Sequence, residues 1–255
     1  MQKSLIKEKL YSGDVCLGTW LFLPSPDVVE IVGLAELDFV VIDMEHSPIT
    51  YENASSMVVA AESKGIAPYV RISNLSSSNI LRTLDTGAHG IQVPHVETPK
   101  EAEQIIQYSK YYPLGDRGMA PSTRAGKYTL DTGKELLDKA NEETLIVVTL
   151  ESLESLENIE EILKVDSIDV IYIGPYDLSQ AMGLPGQVEN PEVIKKMESI
   201  FSLINDSGKI AGSFAKNYRQ ARQMKDLGVK YLTCETDGTI MRSAYEILKK
   251  QIFKR

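Results

Sequence analysis

Eight short apolar runs that alternate with segments of helical spacing constrain the fold more than any other feature of this sequence. The run Phe39–Met44 opens with four consecutive apolar residues, as in a parallel strand buried on both faces by helices. The predicted strands are Val15–Leu23, Phe39–Met44, Ala67–Ile72, Gly90–Val96, Leu145–Glu151, Asp169–Ile173, Lys209–Phe214 and Tyr231–Cys234. The predicted helices are Pro26–Glu36, Tyr51–Lys64, Ser78–Asp85, Thr98–Tyr108, Leu130–Asn141, Ser155–Leu163, Pro191–Ser207, Lys216–Leu227 and Thr239–Phe253.

This alternation predicts an α/β fold, a (β/α)₈ TIM barrel. A chain of 255 residues has the usual length of one such barrel, so residues 1–255 are predicted to form a single domain. The alternative is an open doubly wound sheet, which carries a glycine-rich turn after its first strand. The sequence Leu23-Pro-Ser-Pro at that place has no glycine, which favours the barrel.

Composition and charge exclude several classes of protein. Apolar residues make up 43% and charged residues 25% of the chain, as in soluble globular proteins. The formal net charge of −9 argues against a nucleic-acid-binding surface. The N-terminal residues lack the apolar core of a signal peptide, no apolar run reaches membrane-spanning length, and Cys16 and Cys234 match no metal or redox spacing. We therefore predict a cytoplasmic protein with two thiols that binds neither membranes nor nucleic acid.

Charged side chains stand at the predicted carboxyl ends of the strands, where barrel enzymes collect their reactive groups. Several charges at one barrel mouth are costly unless they pair or bind a ligand. The long polar segment Tyr111–Thr129 is a second candidate for a functional role, since such loops inside compact domains are usually functional or disordered. The strand-end candidates are Asp43, Glu45, His46, Arg71, His95, Glu151, Asp177, Glu235 and Asp237.

Glu151 and Asp177 are the predicted metal ligands. They lie one strand–helix–strand step apart, so we expect neighbouring strands to carry them. Two carboxylates without a nearby cysteine or histidine pair suit Mg²⁺ or Mn²⁺ rather than zinc. Water and a chelating substrate would fill the other coordination positions. The alternative role of each carboxylate is to stabilise the N-terminus of the helix that follows it.

His46 is the predicted general base, because an unperturbed imidazole titrates near neutrality and carboxylates stand beside it in the sequence. Arg71 is either a counter-ion for the barrel carboxylates or a fixed cation for an oxyanion, and the two roles are compatible. His89 and His95 are weaker candidates. No nucleophile motif and no strand-end lysine is found, which favours a metal-dependent mechanism over a Schiff base.

Four segments follow one another in the order seen in a known family. From about Gly18 to Ala244 the chain resembles the class II pyruvate aldolases typified by 4-hydroxy-2-oxoheptanedioate aldolase and 2-keto-3-deoxy-L-rhamnonate aldolase. The segments are Ile42-Asp-Met-Glu-His46, Gly87-Ala-His-Gly-Ile-Gln-Val-Pro94, Tyr112-Pro-Leu-Gly-Asp-Arg-Gly118 and Ile173-Gly-Pro-Tyr-Asp-Leu-Ser179.

The resemblance implies a barrel of the phosphoenolpyruvate/pyruvate type that assembles as a homo-hexamer, with the last helix, residues 239–253, exchanged between neighbours. It implies a divalent metal, Mg²⁺ or Mn²⁺ with Co²⁺ as a further option, on the residues that match Glu151 and Asp177. The matching site residues are Arg71 for the enolate oxygen, His46 as general base, Asp43 as its acidic partner, Asp85 as a residue that raises its basicity, and Thr149, Gly174, Pro175, Tyr176 and Asp177 for substrate binding.

The implied reaction is cleavage of a 2-oxo-4-hydroxy acid to pyruvate and an aldehyde through an enolate, with the metal as Lewis acid. The chain departs from the family pattern at Thr149, where glutamine is usual, at Tyr176, where a small residue is usual, and at Glu235, where glycine is common. An extra glutamate would repel an acidic aldehyde. The departures leave two alternatives open: a related carbon–carbon lyase for a different 2-oxo or acyl substrate, and a catalytically silent barrel that binds an oxo acid.

Overall fold

The computed structural model describes residues 5–130 and 133–253, and within them eight parallel strands close into a barrel in chain order. The predicted (β/α)₈ barrel is confirmed. The strands are β1 Cys16–Leu21, β2 Phe39–Asp43, β3 Ala67–Arg71, β4 Gly90–Val93, β5 Leu145–Leu150, β6 Val170–Ile173, β7 Ile210–Ala215 and β8 Tyr231–Thr236. The helices are α1 Leu5–Ser12, α2 Pro26–Leu34, α3 Tyr51–Ser63, α4 Ser77–Asp85, α5 Pro99–Ser109, α6 Lys134–Glu143, α7 Leu153–Glu157, α8 Ile159–Leu163, α9 Pro175–Ala181, α10 Pro191–Asp206, α11 Tyr218–Asp226 and α12 Asp237–Phe253.

Several predicted boundaries were wrong; the fourth strand, for example, ends at Val93 rather than Val96. The first strand ends at Leu21 rather than Leu23, because the Asp237 carboxylate accepts the backbone N–H groups of residues 22 and 23. The predicted helix Ser155–Leu163 is divided at Asn158, which is the C-cap of α7 and the N-cap of α8. The helix predicted over Leu130–Asn141 is observed over Lys134–Glu143. Residues 131–132 of the prediction lie outside the described residues. Helices α1 and α9 were not predicted.

Alternation along the strands separates the barrel interior from the layer under the helices. On β2, Phe39 and Val41 belong to the interior cluster, whereas Val40 and Ile42 pack with α2 and α3. The Phe39 ring stacks on Tyr231 with 4.3 Å between ring centroids. Gly18 on β1 makes room for this ring, because a Cβ there would come within 3.0 Å of three of its atoms. The barrel is therefore filled by side chains, and space for a ligand remains only at its ends.

The end of the barrel opposite the strand carboxyl ends is covered by α1. Leu10 of this helix is fully buried, and the Tyr11 hydroxyl donates to Asp169, which precedes β6, at 2.8 Å. Cys16 is a buried free thiol whose pKa burial raises to about 12. With this end covered, the carboxyl ends of the strands form the open mouth.

The segment Tyr111–Thr129 contains no helix or strand, as predicted. Arg117 donates to Asp85 at the end of α4 at 2.9 Å, and Arg124 pairs with Glu62 near the end of α3. The helices run from the mouth toward the covered end, so these contacts hold the segment at the side and far end of the barrel.

Helix α12 leaves its apolar side chains exposed, and the described residues include no helix that is both long enough and apolar enough to cross a bilayer. Large contiguous apolar patches are unusual on the surface of a monomer and often mark an interaction site. The exposed apolar side chains of α12, each between 43% and 67% accessible, are Ile240, Met241, Tyr245, Ile247, Leu248, Ile252 and Phe253.

The contact between Gly18 and the Phe39 ring predicts how a methyl group added at position 18 changes the stability of the barrel. We expect Gly18→Ala to lower the free energy of unfolding by about 1–3 kcal/mol, because a Cβ overpacks the barrel interior. Gly238→Ala is the matched control, since a Cβ there has nothing within 4 Å and lies in a helix. Urea unfolding followed by circular dichroism at one protein concentration measures both. Equal stability of Gly18→Ala and the parent protein would contradict this packing.

Candidate active site

The charged centre of the mouth is the pair between Asp43 and Arg71, which face each other across β2 and β3. Arg71 donates from Nε to Oδ1 of Asp43 at 3.0 Å and from Nη2 to Oδ2 at 2.5 Å. Its Nη1 lies 3.1 Å from Oε2 of Glu45, and its guanidinium carbon lies 4.3 Å from the Trp20 ring centroid. Burial lowers the pKa of Arg71, but the hydrogen bonds and charge of Asp43 outweigh it, so the net direction is upward. The cation is permanent and fixed in position.

Asp43 also shapes the turn that carries His46. Its Oδ1 accepts the backbone N–H groups of Glu45 at 2.9 Å and His46 at 3.3 Å. The His46 imidazole is 63% exposed, and the carboxylate nearest to its Nε2 is Glu45, at 3.7 Å. Sequence reasoning paired the imidazole with Asp43. The structure places the Asp43 side chain on Arg71 instead, because the register of β2 and β3 brings that guanidinium opposite.

His95, which follows β4, links the two sides of the mouth. Its Nδ1 lies 2.6 Å from Oε1 of Glu151, and its Nε2 lies 2.8 Å from Oε1 of Glu45. Its backbone N–H donates to the same Glu151 oxygen at 3.0 Å. The backbone φ of His95 is +54°, in the left-handed region that a non-glycine residue seldom adopts. Sequence reasoning gave no role to Glu45 and ranked His95 low. Their place among the charges at the strand ends was the only signal.

Glu151 and Asp177 converge over Gly174. A Cβ at Gly174 would lie 2.9 Å from Oδ2 of Asp177 and 3.7 Å from Oε2 of Glu151, so the glycine leaves a cradle beneath both carboxylates. Burial raises the pKa of Glu151; the charge of His95 opposes this rise, and the charge of Asp177 adds to it. A cation between the carboxylates would relieve both effects. No group of three or more His, Cys, Asp or Glu side chains in residues 5–130 and 133–253 is arranged to hold a metal, so substrate and water would have to complete its coordination.

A cavity of about 200 Å³ opens beside these carboxylates. Thr149, one of its lining residues, accepts a hydrogen bond from Nε2 of Gln92 at 3.1 Å. Tyr176 lies at the rim, with its ring centroid 6.1 Å from that of Phe214. A larger cavity of about 850 Å³ lies at the opposite end between α1 and α6, and none of the strand-end groups lines it. The residues that line the smaller cavity are Trp20, Phe22, Arg71, Thr149, Glu151, Tyr172, Gly174, Pro175, Tyr176, Asp177, Phe214 and Thr236.

Three strand-end or helix-end carboxylates do not line the cavity. Asp85 ends α4 and accepts from Nη2 of Arg117 at 2.9 Å, so within this chain it does not join the site. Glu235 accepts from the Thr239 hydroxyl at 2.9 Å. Asp237 holds backbone N–H groups after β1, as described above. Within this chain, each of the three carboxylates therefore stabilises neighbouring side chains or backbone.

Comparison with known proteins shows the family of this chain. The model of the HpcH/HpaI aldolase/citrate lyase family matches residues 17–244. A 5-keto-4-deoxy-D-glucarate aldolase of Escherichia coli O6:H1 is 32% identical over 242 residues, which cover 95% of this chain and 94% of the relative.

Solved structures give the same result. The HpcH/HpaI aldolase from Desulfitobacterium hafniense DCB-2 superposes with a TM-score of 0.92 at 29% identity, covering 98% of this chain and 96% of the other. The citrate synthase SbnG superposes with a TM-score of 0.86 at 32% identity, covering 99% of each chain. The prediction of a carbon–carbon lyase is thereby confirmed. The chain belongs to the HpcH/HpaI aldolase/citrate lyase family.

Proposed function

We propose that this protein is a divalent-metal-dependent aldolase that cleaves a 2-oxo-4-hydroxy acid to pyruvate and an aldehyde. The observation that carries the proposal is the convergence of Glu151 and Asp177 over Gly174, in a cavity that also contains Arg71. The cavity of about 200 Å³ suits a small 2-oxo acid. Family membership supports the reaction class.

The metal would be held by the Glu151 and Asp177 carboxylates. Their hard oxygens favour Mg²⁺ or Mn²⁺. The ion, when bound, supplies a Lewis acid for the negative charge that develops on oxygen during cleavage. The resemblance stated above adds Thr149, Gly174, Pro175 and Tyr176 as substrate contacts, and all four line the cavity.

Arg71 and His46 supply the remaining chemistry. Arg71 keeps its charge because Asp43 raises its pKa, so it can stabilise the enolate oxygen throughout the cycle. His46 takes the proton of the C4 hydroxyl, the C3–C4 bond breaks, and its electron pair stays with the pyruvate fragment as an enolate. The same imidazole returns the proton to C3, so that pyruvate and the aldehyde leave without a net change of protons. Glu45, 3.7 Å from Nε2 of His46, is the carboxylate that can orient the ring.

A second candidate is a related enzyme that joins or cleaves an acyl group on a 2-oxo acid. It is favoured by the similarity to a citrate synthase over 99% of the chain. The departures at Thr149, Tyr176 and Glu235 also point to a substrate that differs from those of the aldolases. Condensation of an acyl thioester with a 2-oxo acid, without enolisation of pyruvate, would favour this candidate over the aldolase.

If Glu151 and Asp177 hold the metal, removing the charge of either side chain should weaken ion binding. We expect Glu151→Gln and Asp177→Asn each to weaken Mn²⁺ binding by at least about 10- to 100-fold, because each removes a charged ligand. Glu154→Gln, at an exposed position of α7, is the matched control and should bind Mn²⁺ as the parent protein does. Titration calorimetry measures all three. Unchanged Mn²⁺ affinity in both site variants would remove this metal site.

If His46 is the general base, removing its imidazole should abolish enolisation without loss of the bound metal. With Mn²⁺ and pyruvate in D₂O, the parent protein should exchange the pyruvate methyl protons, as followed by NMR. His46→Ala should bind Mn²⁺ but exchange at least about 100-fold more slowly, in the range of general acid–base effects. His89→Gln, at a histidine that contacts Glu62 outside the mouth, is the control. Exchange retained in His46→Ala would reassign the base, and no exchange by the metal-loaded parent protein would refute the aldolase.

We also propose that α12 packs against a second copy of the chain in a homo-oligomer, a hexamer by family resemblance. The support is its exposed apolar stripe at helical spacing, which includes Ile240, Ile247 and Leu248. Leu248→Glu should reduce the oligomeric mass measured by light scattering, because it places a charge in the apolar contact. Lys250→Glu changes a position of α12 outside this stripe and should reduce the oligomeric mass less. A monomeric parent protein would contradict the proposal.

A further inference from the structure

We propose that the aldehyde handled by this enzyme is apolar and uncharged, because the outer part of the cavity is an aromatic wall that offers no free cation. The aromatic wall consists of Trp20, Phe22, Tyr176 and Phe214. This inference rests on the proposed function and names the substrate class of the same site.

The aromatic wall presents apolar surface to the cavity. The Trp20 and Phe22 rings lie 6.5 Å apart, and the Tyr176 and Phe214 rings lie 6.1 Å apart. The indole N–H of Trp20 is already donated to Oγ1 of Thr233 at 2.9 Å. Tyr176 is 43% exposed and forms the rim. A hydrocarbon group on the aldehyde could therefore pack against these rings and leave water.

The charges around the cavity disfavour a second carboxylate on the substrate. Among the described residues that line the cavity, Arg71 is the one cation, and Asp43 and Glu45 already engage its guanidinium. The other charged lining residues are the carboxylates Glu151 and Asp177, which the metal and the 2-oxo acid would occupy.

Three basic groups outside the lining are also engaged. Lys216, whose pKa is raised chiefly by Glu189 and in small part by Tyr176, has its Nζ 2.9 Å from Oε1 of Glu189. The two mouth imidazoles, His46 and His95, face Glu45, and His95 also contacts Glu151. A carboxylate brought to the aromatic wall would lose water without gaining a free cation among the described residues of this chain that line the cavity, which is costly.

The reaction separates the two substrate classes. In the synthetic direction C3 of pyruvate loses a proton and bonds to the aldehyde carbon, whose oxygen takes up a proton. Butanal and succinic semialdehyde are a matched pair for this step, since they differ by a methyl group in place of a carboxylate. With Mn²⁺ and saturating pyruvate, we expect kcat/KM for butanal to exceed that for succinic semialdehyde by at least about tenfold, the effect of a single well-placed group in a pocket.

A cation placed in the aromatic wall tests whether the lack of a cation there disfavours a carboxylate on the aldehyde. Tyr176→Lys should shift the ratio of the two kcat/KM values toward succinic semialdehyde by at least about tenfold, because the new ammonium pairs with its carboxylate. Tyr218→Lys is the control, at a 63% exposed tyrosine of α11 that does not line the cavity, and its ratio should match that of the parent protein.

The outcomes distinguish this inference from the proposed function. Exchange of pyruvate methyl protons in D₂O reports enolisation without any aldehyde. If the parent protein exchanges these protons but uses succinic semialdehyde as well as or better than butanal, the apolar class is wrong and the aldolase stands. If the metal-loaded protein shows no exchange, the aldolase and the inference fall together.

Discussion

The pair between Asp43 and Arg71 is the interaction on which the mouth of the barrel depends. The Asp43 carboxylate is completely buried, and an unpaired charge there would cost several kcal/mol. The register of β2 and β3 places the guanidinium opposite, where it satisfies both oxygens. The same carboxylate fixes the turn that leads to His46, and the same guanidinium contacts Glu45 and the Trp20 ring. One ion pair thus orients the turn that carries the proposed general base, the fixed cation and one side of the cavity.

The mouth is divided into two parts with different chemistry. One part is a chain of charges from Asp43 through Arg71, Glu45 and His95 to Glu151. The other is the aromatic wall, and the proposed metal pair lies between them. The three residues that depart from the pattern of the resemblance have different surroundings. Thr149 lines the cavity and accepts from Gln92, Glu235 accepts from Thr239, and Tyr176 adds a ring at the rim.

Much of the barrel and part of the site follow from local sequence. Strands buried on both faces leave continuous apolar runs, and the polar residues that follow the carboxyl end of such a run lie at the mouth, which is how Asp43, Glu151 and Asp177 could be predicted as candidates. The link from His95 to Glu45 and Glu151 could not, because it depends on a left-handed backbone at His95 and on strands that are distant in sequence. Apart from Tyr176, the aromatic wall was missed because its rings come from β1, the residue after it, β7 and helix α9, which are distant in sequence.

The claim that two carboxylates form a metal site for a 2-oxo acid can be tested directly by crystallography. Crystals grown with Mn²⁺ and oxalate, a planar mimic of the pyruvate enolate, should show an anomalous peak between Glu151 and Asp177, with oxalate in the cavity beside Arg71. Anomalous density only at other carboxylates, or none at saturating Mn²⁺, would contradict the proposed site and the aldolase mechanism built on it.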